Sequence, residues 1–107
     1  MLIQQGDVLI RSISEIPSDL KKFRQDHRGY VLAEGEHTGH YHGVVCVDDD
    51  VDMWKDDSTG KLYMSNRSDI TVTHQEHSHI SVPAGTWEVD YVKEYDHFAE
   101  EARNVRD

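Results

Sequence analysis

Basic residues, cysteines and long apolar runs are all scarce in this chain, and each shortage removes a class of function. Eleven Lys and Arg face 21 Asp and Glu, a net charge of −10. The cationic surface that holds a phosphate backbone is therefore missing, and direct nucleic-acid binding is not expected. The lone cysteine, Cys46, excludes an internal disulfide and suits a reducing, cytoplasmic setting. It lies in the apolar run Val44-Val45-Cys46-Val47, where an inert buried thiol is the expected state. No stretch approaches the roughly 20 apolar residues of a membrane-spanning helix. The start, Met1-Leu2-Ile3-Gln4-Gln5-Gly6-Asp7, has neither the basic region nor the apolar core of a signal peptide. Hydrophobic residues make up only 36%, so residues 1–107 read as a single domain with a modest core.

What is present is a succession of short β-prone segments separated by turn residues. Gly6 to Ile13 alternates as a strand, and Tyr30 to Ala33, Val44 to Val47 and Val51 to Trp54 follow. Asp57-Ser58-Thr59-Gly60 predicts a hairpin connection into Lys61 to Ser65, and Asn66 to Asp69 another turn. Ile70-Thr71-Val72-Thr73 is strongly β-prone. After Pro83-Ala84-Gly85, the run Thr86 to Tyr95 puts Trp87, Val89, Tyr91, Lys93 and Tyr95 on one face. Helix is expected in two places only. Pro17-Ser18-Asp19 could open a short one near 18–25, through Leu20 and Phe23, and Asp96 could cap another near 97–105, through Phe98, Ala102 and Val105. The pattern predicts an all-β fold, a small barrel or sandwich.

Against this plain background the histidines are concentrated. The spacing His-x-x-His-x-His occurs twice, 37 residues apart, as His37, His40, His42 and as His74, His77, His79. Six of the eight histidines thus fall in two six-residue windows, where an even scatter would put about one. On a strand, residues two apart point the same way. His40 and His42 would share one face, and His77 and His79 another. Neighbouring strands would then bring four imidazoles together, enough nitrogen for a divalent transition metal: Zn, Fe, Mn or Ni. His74 is a further candidate ligand, but it also extends the apolar face of Ile70 and Val72 and reads equally as a hydrogen-bonded core histidine. Glu34, Glu36 and Glu76 are interleaved with the histidines. Glu36 and Glu76 are the candidates for orienting an imidazole or acting as general acid or base.

His40-x-His42, and later Pro83-x-Gly85 leading into a long strand, resemble the two cupin motifs. That resemblance implies a double-stranded β-barrel with a metal inside. The chain departs from it twice: Cys46 and Val47 stand where the motif glutamate is expected, and Glu88 where the second-motif histidine falls. A longer pattern resembles a group of small bacterial and phage proteins of uncharacterised activity. It runs through Gly6-Asp7-Val8, Ala33-Glu34-Gly35-Glu36-x-Thr38-Gly39-His40-x-His42, His74-x-Glu76-His77-x-x-Ile80, Pro83-x-Gly85 and Glu94-Tyr95-Asp96.

Two functions follow as expectations. The first is a metal-binding, cupin-like domain using His40, His42 and His77 with His79 or His74. Tyr41 or Tyr91 would line its pocket, and any reaction would be metal-assisted chemistry on a small polar molecule. The second is a non-catalytic protein whose acidic run, Asp48, Asp49, Asp50 and Asp52, engages a basic surface of a host protein. Dimerisation is one way for so small a β domain to cover its edge strands.

Overall fold

The structure, a computed structural model, describes residues 1–34, 39–45 and 50–91. Among these residues the chain forms ten strands and no helix. In chain order the strands are β1 (Leu2–Gln5), β2 (Val8–Ser12), β3 (Lys21–Lys22), β4 (Tyr30–Glu34) and β5 (Tyr41–Val45). They continue as β6 (Val51–Lys55), β7 (Leu62–Asn66), β8 (Ile70–Thr73), β9 (Ile80–Val82) and β10 (Gly85–Tyr91). They make two antiparallel sheets, one ordered β1-β2-β10-β7-β6-β3 and the other β4-β5-β8-β9. The sheets do not close on each other, so the described residues form no barrel, and a cupin-like closure is absent from them. Nor is any helix among them long and apolar enough to cross a membrane.

Alternation explains the layering. Val8 and Ile10 on β2, Val51 and Met53 on β6, Ile70 and Val72 on β8, and Trp87 and Val89 on β10 all point inward. With Leu32, Val44, Leu62, Met64 and Val82 they make one core shared by both sheets. Buried polar side chains then tie sheet to sheet. Asn66 on β7 donates to the carbonyls of Val82 (3.3 Å) and Pro83 (2.8 Å) beside β9, and to Ser68 (3.0 Å). The Tyr91 hydroxyl on β10 donates to the Leu32 carbonyl on β4 at 2.7 Å. Gln5 on β1 donates to the Val72 carbonyl on β8 at 3.0 Å.

Two sequence expectations are corrected. The first strand does not start at Gly6. Gly6 and Asp7 are the two-residue turn of a hairpin, with Gln5 opposite Val8 and Gly6 at φ +56°. Glycine accepts that left-handed conformation without a Cβ clash. The helix expected near 18–25 is absent as well. Asp19 lies at φ +65°, which no helix tolerates. Lys21 and Lys22 instead pair with Lys55 and Trp54 of β6, and Phe23 N–H donates to the Met53 carbonyl at 2.8 Å. Leu20 and Phe23 give too narrow an apolar stripe to hold a helix against that pairing. The helix expected near 97–105 lies outside the described residues.

Asn66→Ala removes three bonds and leaves buried carbonyls unsatisfied, so it is expected to lower stability by about 2–3 kcal/mol. Urea denaturation measures this, and a loss below about 0.5 kcal/mol would contradict the stitching role. Burial raises the Tyr91 hydroxyl above its ordinary 10.0, with the Asp90 carboxylate adding to the effect. Burial does the same to Tyr63. The folded state thus favours the neutral phenol, and stability is full below the unfolded value and declines as pH rises through the folded one. Tyr91→Phe is expected to flatten the decline above about pH 10 while weakening the protein at neutrality. Equal declines in the two proteins would remove Tyr91 as the source.

Candidate functional site

Strand pairing brings the two histidine stretches together. β5 and β8 are antiparallel neighbours, with Gly43 opposite Thr73 and Val44 opposite Val72. His42, one residue earlier on β5, therefore meets His74, one residue beyond β8, and their ring centroids are 4.4 Å apart. His77 lies 4.5 Å from His74 and 6.0 Å from His42, and His40 lies 5.5 Å from His74. Four imidazoles, two from each stretch, form one group. His42 is 2% exposed and His74 4%, so half of the group is core. His37 and Glu36 lie outside the described residues.

His79 does not join them. It is exposed and, among the described residues, has no ring contact with the other histidines. The expectation that His77 and His79 share a strand face fails because residues 74–79 are not a strand. β8 ends at Thr73, and the chain folds back over the His74 ring. His74 Nδ1 accepts the backbone N–H of Glu76 at 3.0 Å and that of His77 at 3.3 Å. This local bond set carries the His77 ring to His74 and leaves His79 outside. His74 is thus both a member of the cluster and a hydrogen-bonded core histidine. Glu76 is open to solvent, and its Oε1 lies 3.6 Å from His40 Nδ1.

Two further residues of the site carried no signal in the histidine spacing. Gln5, at the end of β1, donates from Nε2 to the Val72 carbonyl (3.0 Å) and the Ser78 carbonyl (2.8 Å). Its Oε1 lies 2.7 Å from His42 Nδ1. Gly6 follows and covers two of the rings. A Cβ there would stand 2.6 Å from His77 Nε2 and 3.4 Å from His42 Cε1. The sequence puts Gly6 and Asp7 in a strand rather than a turn, and nothing local says what lies beneath them.

Among the described residues no three His, Cys, Asp or Glu side chains already meet at a single metal-binding point. The scale of the cluster is nevertheless suitable. Zinc–nitrogen bonds of about 2.0–2.1 Å set two imidazole centroids on a tetrahedral ion roughly 5 Å apart. The residues that would have to turn are the more exposed His40 and His77.

A cleft of about 320 Å³ contains none of the histidines. Its walls include Phe23, Arg28, Leu32, Glu34, Leu62 and Tyr91. Tyr91 therefore lines this cleft. Tyr41 lies under the Arg28 guanidinium, 5.0 Å from ring centroid to Cζ, and its N–H donates to Gln75 Oε1 at 2.8 Å. Arg28 is held by Asp26 at 2.7 Å and Glu34 at 2.6 Å, hydrogen bonds that raise its already high pKa. Of the acidic run, Asp52 pairs with Lys22 (2.9 Å) and Arg67 (3.2 Å), and hydrogen bonds from both hold its carboxyl below the usual range. Asp50 accepts from Ser68 Oγ at 2.6 Å. Asp48, Asp49 and Cys46 lie outside the described residues.

Gly6→Ala is expected to cost about 1–3 kcal/mol, from the left-handed φ together with the clash against His77. Gly60→Ala is the control, since Gly60 has φ +78° and nothing within 4 Å of its Cβ position. A larger loss for Gly6→Ala in urea denaturation, with shifted His42 and His77 ring resonances, is the expected result. Equal losses would show that the turn's contact with the rings carries no energy.

A family model matches residues 4–91, which take in the hairpin turn, both histidine stretches and β10. No curated protein and no solved structure gives a match. The chain belongs to the family described as a Domain of unknown function (DUF8820).

Proposed function

We propose that this chain binds a divalent transition metal at the histidine cluster, with His40, His42 and His77 as ligands. The observation that carries the reading is the meeting of four imidazole rings from stretches 37 residues apart, at 4.4–6.0 Å between centroids. Burying two imidazoles in so small a core sacrifices apolar packing, and a metal would give that sacrifice a use. The ligand set is all nitrogen, which suits Zn, Fe or Ni better than Mn.

Glu76, beside His40, is placed to orient that ring as carboxylates do for ligating histidines. His74 is placed to support the group from the core. When bound, the metal would act as a Lewis acid and would lower the pKa of a coordinated water. The partial cupin likeness supports this reading through its metal chemistry, since its first motif contains His40 and His42. A small polar molecule remains the class of ligand that such a site would take, and a reducing cytoplasm fits the lone cysteine.

The rival reading is an acidic face that docks on a basic host protein; within its acidic run, Asp52 is already paired with Lys22 and Arg67. Tag-free protein is expected to take up about one equivalent of zinc and to melt at a higher temperature with it. His40→Ala combined with His77→Ala should weaken zinc binding at least tenfold, in the manner of lost ligands, roughly 1.4 kcal/mol or more. His79→Ala should leave it unchanged. Zinc uptake far below one equivalent, or indifferent to the double substitution, defeats the proposal.

A further inference from the structure

We propose that Gln5 fixes the tautomer of His42 and thereby decides which of its two nitrogens is offered to a metal, an inference that rests on the metal-binding reading above. The Gln5 side chain is buried, 3% exposed, and its amide has a single satisfactory orientation. Nε2 faces two carbonyl oxygens, those of Val72 at 3.0 Å and Ser78 at 2.8 Å. Only the NH₂ end can satisfy both, because a flipped amide would set Oε1 against two other acceptors. Oε1 is therefore the atom 2.7 Å from His42 Nδ1, and it can only accept. Nδ1 carries the proton, and the neutral ring holds its lone pair on Nε2.

His74 is set the opposite way. Its Nδ1 accepts from the backbone N–H of Glu76 and of His77, so that nitrogen bears the lone pair. The neutral ring keeps its proton on Nε2. Two imidazoles 4.4 Å apart thus hold opposite tautomers. His42 offers Nε2 as a ligand atom, whereas His74 could bind a metal only by giving up its backbone donors or losing its remaining proton. Gln5 is a positioning residue: it touches the ligand, not the metal. It also ties that ligand to β8 and to the loop that carries His77, so one amide sets the tautomer and the relative placement of two candidate ligands.

The test is long-range ¹H–¹⁵N correlation spectroscopy of the histidine rings in metal-free protein at about pH 8, where imidazole is neutral, followed by zinc titration. Wild type should show His42 protonated on Nδ1 and His74 on Nε2. Gln5→Leu should erase the His42 preference and weaken zinc binding about ten- to hundred-fold, the usual effect of losing an orienting partner. Gln5→Glu can still accept from His42 but sets a carboxylate oxygen against the Val72 and Ser78 carbonyls, so it should keep His42 protonated on Nδ1 while destabilising the fold. The wild-type tautomer is read without any substitution, which keeps the test alive if neither variant folds. Gln25→Ala, at an exposed amide outside the cluster, should change neither readout.

A wild-type His42 protonated on Nε2 would overturn the proposal outright, as would Gln5→Leu leaving tautomer and affinity unaltered. The expected tautomers in a protein that takes up no zinc would overturn the metal assignment and the proposed function together. Gln5's control of the ring would survive that result.

Discussion

The register of β5 against β8 is the constraint on which the rest of the molecule depends. Gly43 opposite Thr73 joins the two halves of the four-stranded sheet. The same register sets His42 beside His74 and aims Val44 and Val72 into the common core. Side chains alternate with period two, so a slip of one residue would turn the apolar set outward and part the histidines in a single move. Fold and site are therefore specified by the same pairing, and neither can drift without the other.

Burying two imidazoles next to this pairing removes polar surface from water and demands partners for it. Backbone groups and one amide supply them. His74 is served by the loop that follows it in sequence, and His42 by Gln5 from the far sheet. Asn66 and Tyr91 make comparable bonds from one sheet to carbonyls on the other. Each such bond lies where a purely apolar contact would let the layers slide. The polar stitches thus give geometric definition to a chain with few large apolar residues.

Much of this was legible in the residues. Ile70–Thr73 and the run through Trp87 and Val89 were readable as strands because β-branched and aromatic residues alternate there. The meeting of the two histidine stretches could be anticipated from their composition, but not which rings would meet. The face rule assumed a strand through His77 and His79, whereas the His74 side chain captures two backbone N–H groups and ends the strand early. The segment at 18–25 went to an edge strand because pairing with β6 outweighs a weak local helix preference. Gln5 left no trace in the sequence at all. A neutral amide beside a turn is ordinary, and its importance comes from residues 67 and 73 positions away along the chain.

The two-residue strand β3 has an effect at the border of the six-stranded sheet. Its adjacent ammonium groups are engaged, Lys21 with Asp57 at 2.7 Å and Lys22 with Asp52 at 2.9 Å, and Lys22 also rests over the Trp54 ring. A foreign strand adding to that margin would meet a rim of lysines after only two residues of ladder, and would have to strip these charges of their carboxylates to go further. Growth of the sheet into fibrils is thereby discouraged on this side by chemistry carried within the chain itself.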